Sequence, residues 1–283
     1  MKHKTDGALC RIEEAMKTEG CALIQAAIPR ETADELCAEV HALVNEARET
    51  GDLFHEPYYH ENSFKVVRAL RRTSRLDSLI DNPSWFEPLI SLMGCHIQLM
   101  DVECFVRGSS DVHITGFHTD LGPGMQQLVP AAGQLFLEIK AQLFLTDLPE
   151  PDSGNFAYIP GSHLELPVRS DSFCGIEALN REIGPDGSLP AAAKQIQCMA
   201  GDVLLFPHSL WHAVAPNRTG RTRFSISLRY GQLALRPLER FSPILANANR
   251  PLSPRQRRLL GDFGDDGASP YRPTNQEAIM RGL

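Results

Sequence analysis

The chain changes texture at Cys95-His96-Ile97-Gln98-Leu99-Met100-Asp101-Val102-Glu103-Cys104-Phe105-Val106-Arg107. Apolar and polar residues alternate through it, the period of a strand whose two faces meet different surroundings. Further strand candidates follow at Gln134–Leu145, Phe156–Ile159, Ile196–Met199, Val203–Phe206 and Arg221–Tyr230. Turn-forming clusters separate them, among them Gly108-Ser109-Ser110-Asp111, Gly201-Asp202 and Asn217-Arg218-Thr219-Gly220. Upstream the pattern is helical. Residues 8–18 form a short amphipathic stretch, and Leu36, Val40, Leu43, Val44 and Ala47 recur at helical spacing up to a stop at Gly51. Pro83 and Gly94 bracket another helix over Ser84–Met93, Cys21–Ile28 reads as a strand, and Asp52–Ser63 reads as a loop. A helical layer followed by many short strands predicts a mainly β protein, a double-stranded β-helix (jelly roll) packed against N-terminal helices. One domain is expected: helices over about 8–94, a jelly-roll core over about 95–232, and a C-terminal extension over 233–283. The extension carries a short helix at Pro254–Leu260 and a loose or lid-like end at 261–283.

The 283 residues are 42% hydrophobic and 22% charged, ordinary for a globular protein. A net charge of −7 argues against partners such as nucleic-acid backbones or anionic membranes. No apolar run approaches the roughly 20 residues of a membrane span, and the N-terminal residues lack an apolar signal region. Cys10, Cys21, Cys37, Cys95, Cys104, Cys174 and Cys198 are odd in number and scattered without a C-x-x-C, so the expectation is a reduced, cytoplasmic protein with buried free thiols. Arg68, Arg71, Arg72 and Arg75 are spaced for one helical face, more readily a solvated face pairing with nearby acids than an anion site.

The chemistry centres on Gly116-Phe117-His118-Thr119-Asp120, with Trp211-His212 and Arg223 about a hundred residues on. On one extended segment His118 and Asp120 project to the same side. With His212 they make a 2-His-1-carboxylate set, which holds non-haem Fe(II) and leaves positions open. Arg223 suits a carboxylate, and Ser225, two residues on, faces the same way with a hydroxyl. Spacing leaves alternatives. His163-Leu164-Glu165 offers a competing pair, His208 or His212 can be a packed histidine, and Arg221, Arg223 and Arg229 can form the exposed face of an edge strand. Arg221 and Arg223 point the same way, and pattern does not choose between them.

The chain resembles the phytanoyl-CoA dioxygenase family of Fe(II)- and 2-oxoglutarate-dependent oxygenases over about residues 18–232. The resemblance rests on ordered stretches: Gly20–Ile28 before a helix, Phe117-His118-Thr119-Asp120, Gln142–Leu148, Ser153-Gly154-Asn155-Phe156, Ile159-Pro160-Gly161-Ser162-His163, Gly201-Asp202-Val203, and Trp211-His212 with Asn217 and Arg223. It implies that His118, Asp120 and His212 ligate iron and that Arg223, rather than Arg221, binds the far carboxylate of 2-oxoglutarate. Gln142 is expected near the co-substrate, and His163 is demoted to a structural turn. It also implies consumption of O2, release of succinate and CO2, and oxidation of a small-molecule substrate. The related halogenases replace the carboxylate ligand; Asp120 favours hydroxylation. Substrate contacts are expected from residues 52–66, Cys104–Arg107, Leu121–Pro130 and the C-terminal segment, and Arg107 with the upstream arginines suits an acidic or phosphorylated substrate. The rival expectations are a non-catalytic, cupin-like metal-binding jelly roll, which a His-x-His pair would favour and which this chain lacks, and a degenerate binding protein.

Overall fold

The computed structural model describes residues 2–51, 53–54, 62–120, 136–165, 175–264 and 275–282, with only the backbone for 2–6. Most of the expected loop over Asp52–Ser63, the turn after Asp120, the expected contact segment Leu121–Pro130 and Cys174 lie outside the described residues.

In chain order the elements are α1 (Lys2–Thr18), β1 (Ala22–Ile24), α2 (Arg30–Thr50), β2 (Leu53–Phe54), β3 (Ser63–Val66), α3 (Ala69–Arg72), α4 (Pro83–Met93) and β4 (Ile97–Arg107). There follow β5 (Thr115–His118), β6 (Glu138–Phe144), β7 (Phe156–Tyr158), α5 (Ile176–Arg181), β8 (Lys194–Gln195), β9 (Val203–Pro207), β10 (His212–Val214) and β11 (Arg223–Gln232). Three short helices, α6 (Ser242–Leu245), α7 (Pro254–Leu259) and α8 (Gln276–Arg281), end the chain. The strands make a seven-stranded sheet ordered β1-β9-β6-β11-β4-β3-β2 and a four-stranded sheet ordered β5-β10-β7-β8, with antiparallel pairing throughout. This is the expected jelly roll.

The alternation in β4, β6 and β11 sorts the two faces of the larger sheet. Val102, Cys104 and Val106 of β4, Ile139, Ala141 and Leu143 of β6, and Ile226 and Leu228 of β11 join one core with the apolar stripe of α2. Helix α2 stops at Gly51, whose φ of 75° suits a residue without Cβ. Helix α4 starts where the Asn82 side chain accepts from the Ser84 N–H, with Pro83 pre-set for the first turn. The opposite face of the sheet carries the polar residues of the same strands and looks toward the smaller sheet.

Several local expectations are corrected. The strand over Cys21–Ile28 shrinks to Ala22–Ile24, because Ala26 takes a φ of 47° and its N–H donates to the Asp202 carboxylate. Ile196–Met199 shrinks to a single antiparallel bridge between Cys198 and Leu148. Side chains take part of the backbone on either side of it: Asn155 Nδ2 donates to Ile196 O, and Met199 N donates to Asp202 Oδ2. The four arginines do not share a helical face. Helix α3 is one turn, begun by Arg68 at φ 58° and ended by an extended Thr73. The expected pairing with acids is present: Arg71, Arg72 and Arg75 pair with Glu239, Glu46 and Glu39 at 3.2, 3.1 and 3.2 Å. Strand β11 is no edge strand but the middle strand of seven. At the C-terminus α8 is docked, with Met280 1% exposed and Gln276 donating to Cys95 O at 2.7 Å. The six described cysteines are free, but Cys10 is exposed and Cys37 only half-buried. Among the described residues no helix is long and apolar enough to cross a membrane.

Candidate metal centre

His118 and His212 are direct cross-strand partners, the last residue of β5 facing the first of β10. Their rings lie 4.3 Å apart between centroids. Asp120 stands two residues past the end of β5. Its N–H donates to His208 O at 2.9 Å, a bond to the chain just before β10. His212 opens β10 and His118 closes β5, so both histidines sit at strand ends. One ligand atom from each of His118, Asp120 and His212 lies within 4.8 Å of the others.

The tautomers follow from the backbone. His118 Nδ1 lies 2.9 Å from Gly116 O, and His212 Nδ1 lies 2.9 Å from Leu210 O. A carbonyl only accepts, so each Nδ1 carries the proton and each Nε2 keeps a lone pair for a metal. Burial lowers the His118 imidazolium, and burial with the neighbouring His118 lowers that of His212 to about 3, so both rings are neutral near pH 7. Phe156 stacks on His212 at 5.1 Å and 12°, with Phe206 also at 5.1 Å. Burial pushes the Asp120 carboxyl up, but Lys140, His212, Arg229 and His118 outweigh it and hold the group well below the usual carboxylate range. Two imidazole nitrogens and one anionic oxygen suit a divalent first-row metal such as Fe(II).

A cavity of about 270 Å³ joins this triad to the polar face of the larger sheet. Arg223 lines it, 2% exposed, with Nη1 donating to Gly154 O at 2.7 Å and the guanidinium 5.1 Å over the Phe144 ring. Burial, then the adjacent Arg107, lowers Arg223 to about 9. Arg221 lies before β11 and is exposed, so the structure brings Arg223 and not Arg221 to the cavity. Gln142 lines the cavity and donates to Ser225 Oγ at 3.2 Å; Ser225 is fully buried. His163 is 1% exposed, packed against Gly20 and not part of the triad, and Glu165 is exposed. His208 is a packed histidine with Nδ1 3.2 Å from both N and O of Glu138.

Lys140, Arg229 and Glu103 were not foreseen. Lys140 Nζ lies 2.8 Å from Asp120 Oδ2 and Arg229 Nη2 lies 3.7 Å from Asp120 Oδ1, so both carboxylate oxygens face a cation. Arg229 also stands 3.6 Å from Asp101 and 3.7 Å from Glu138. Glu103 lines the cavity paired with Lys65 at 2.9 Å. The signal was the two-residue step: Lys140 precedes Gln142 by two, and Arg229 follows Arg223 by six on the same face.

The fold is shared with solved structures of low sequence identity. The alpha-ketoglutarate-dependent epimerase SnoN from nogalamycin biosynthesis is 20% identical, with 95% of this chain and 94% of that one covered and a TM-score of 0.62. HygX from Streptomyces hygroscopicus, solved with nickel and 2-oxoglutarate bound, is 18% identical over 80% of this chain and 88% of that one, with a TM-score of 0.62. The alpha-ketoglutarate-dependent carbocyclase SnoK from nogalamycin biosynthesis is 19% identical over 83% and 89%, with a TM-score of 0.59. No curated protein matches the chain. The family model described as phytanoyl-CoA dioxygenase matches residues 16–225, most of the chain and all of the triad, and the chain belongs to that family.

Proposed function

We propose that this protein is an Fe(II)- and 2-oxoglutarate-dependent oxygenase that hydroxylates a C–H bond of a small molecule. The observation that carries the reading is one cavity holding both the His118–Asp120–His212 triad and a buried arginine, Arg223. The two solved relatives described as alpha-ketoglutarate-dependent and HygX with its bound nickel and 2-oxoglutarate support the cofactor assignment. An epimerase and a carbocyclase share the fold; hydroxylation is favoured over halogenation by Asp120, which keeps a carboxylate where halogenases have none.

His118 and His212 would hold iron through their Nε2 lone pairs and Asp120 through a carboxylate oxygen. Bound iron with 2-oxoglutarate supplies the oxidising power, with O2 consumed and succinate and CO2 released. The chain's own residues set the geometry. Lys140 and Arg229 hold the Asp120 carboxylate from both sides. Arg223 offers a guanidinium fork to the far carboxylate of the co-substrate, beside the Ser225 hydroxyl and the Gln142 amide that donates to it. Phe156 and Phe206 wall the His212 side with apolar surface that keeps water from it.

Anaerobic addition of Fe(II) and 2-oxoglutarate to the metal-free protein tests this directly. The expected result is a visible charge-transfer absorption that needs both additions and is absent in His212→Ala; no such absorption in the wild type sinks the reading. A metabolite screen for substrate-stimulated succinate formation then identifies what is oxidised.

A further inference from the structure

Arg107 ends β4 directly opposite Arg223 in the β4–β11 ladder. It is 3% exposed and lines the same cavity. The two arginines are cross-strand neighbours on one cavity, and burial removes the water that would screen their like charges. The charge of Arg107 is felt at both ends of the cavity. After burial it is a cause of the lowered Arg223, and behind burial and Lys140 it contributes to lowering His118 on the metal side. Among the described residues Arg223 has no carboxylate partner, and its buried Nε has no hydrogen-bond acceptor. Arg107 is braced in place. Its guanidinium lies 4.9 Å over the Phe105 ring, with Nη1 3.4 Å from Phe64 O and 3.3 Å from Val106 O. Asn217 Nδ2 bonds to both Arg107 O and Arg221 O, tying the ends of the two arginine-bearing strands together.

A braced pair of buried like charges, one of them short of acceptors, is an anion pocket. We infer that Arg107 is a second guanidinium of the co-substrate site, and that Arg107 and Arg223 together make it select a dicarboxylate 2-oxo acid over a monocarboxylate one. The inference rests on the proposed function. Both kinds of acid carry the 2-oxo carboxylate that suits a metal, but only the dicarboxylate brings a second anion to the arginines, where each charge-assisted bond counts.

The test is calorimetric. Wild type, Arg107→Met and Arg107→Lys are loaded with Ni(II) in place of iron and titrated with 2-oxoglutarate and with 2-oxobutyrate. Arg107→Met is expected to weaken 2-oxoglutarate about 10- to 100-fold, while 2-oxobutyrate and Ni(II) affinities stay within about threefold. Arg107→Lys, which keeps the charge, is expected to recover part of the loss. Unchanged 2-oxoglutarate affinity overturns the inference, and so does equal weakening of both acids, the mark of a merely structural role. If thermal melts show that the Met variant does not fold, Arg107→Gln carries the same expectation. A wild type that takes up neither Ni(II) nor 2-oxoglutarate fails separately, because it removes the proposed function rather than the part of Arg107.

Discussion

Replacing Asn217 with alanine tests how the co-substrate end of the cavity is held. Asn217 is fully buried in the turn region before β11. Its Nδ2 donates to Arg107 O at 3.2 Å, Gly108 O at 3.3 Å and Arg221 O at 2.7 Å. Its Oδ1 accepts from Thr219 N at 3.3 Å and from Thr219 Oγ1 at 2.7 Å. Two amide hydrogens shared among three carbonyls count as two bonds, and the acceptor side adds at least one more. Each is worth about 0.5–1.5 kcal/mol net, and more where the abandoned partner stays dry, so Asn217→Ala is expected to cost about 3 kcal/mol. Thr219 is exposed, and Thr219→Ala, which removes the 2.7 Å bond to Asn217 and the exposed 3.2 Å bond from Arg221 N, is expected to cost about 0.5–1 kcal/mol. Equilibrium urea denaturation of the three proteins measures both differences. Because Asn217 ties the strand ends that carry Arg107 and Arg223, Asn217→Ala is also expected to weaken 2-oxoglutarate while leaving Ni(II) uptake intact. A stability loss below about 1 kcal/mol, or no gap between the two variants, refutes this account of the turn.

Arg223→Gln is expected to weaken 2-oxoglutarate by about 2–5 kcal/mol, the usual cost of truncating one partner of a buried charge pair, whereas exposed Arg221→Gln changes it by less than about 1 kcal/mol. Anaerobic titration of the iron-loaded variants separates them, and the reverse ranking would falsify the assigned strand register. Burial pushes the Glu239 carboxyl up to about 7 despite Arg71. A folded-state pKa above the ordinary 4.5 means that stability is lost as pH rises from about 4.5 through 7. Glu239→Gln does not titrate, so its melting temperature relative to wild type is expected to be higher at pH 8 than at pH 5; a flat difference contradicts the burial argument. Tyr230→Phe takes the acceptor from Trp85 Nε1 at 3.2 Å and the donor from Ile80 O at 3.0 Å. A loss of about 1–3 kcal/mol in denaturant melts is expected, and no loss would mean that the two buried groups find other partners.

What could be read from the residues depended on length. Strands β4, β6 and β11 are seven to eleven residues long, enough for a two-residue period to show. Strands β5 and β10, with four and three residues, are too short to show one, yet they carry the two histidines. His118 and Asp120 were found by their spacing, whereas the bond that anchors Asp120, from its N–H to His208 O, joins residues far apart in the chain. Such a bond leaves no local trace. Arg229 was open to the edge-strand reading for a related reason: the place of a strand in its sheet is set by the whole topology, and β11 lies at the centre.

Lys140, Arg229 and Glu103 stayed hidden because a polar residue in an alternating strand ordinarily faces water. In this jelly roll the polar face of the larger sheet looks inward. The register makes it a set of rows: Arg107 beside Arg223, Phe105 beside Ser225, Glu103 beside Ser227 and Gln142, and Asp101 beside Arg229 and Lys140. The fold and the site are therefore specified by one pattern. A slip of one residue in β11 would turn Ile226 and Leu228 into the cavity and drive Arg223, Ser225 and Arg229 into the core beneath α2. Burying each aliphatic side chain is worth about 1.5–3 kcal/mol, and an unpaired charge in the core costs more than that. The apolar outer face thus holds the register strictly enough to set Lys65, Lys140 and Arg229 against carboxylates at the cavity and to leave Arg223 without a carboxylate partner among the described residues. That arrangement of charge arises from strand register, so the place where the cavity receives an anion is encoded in the same alternation that builds the sheet.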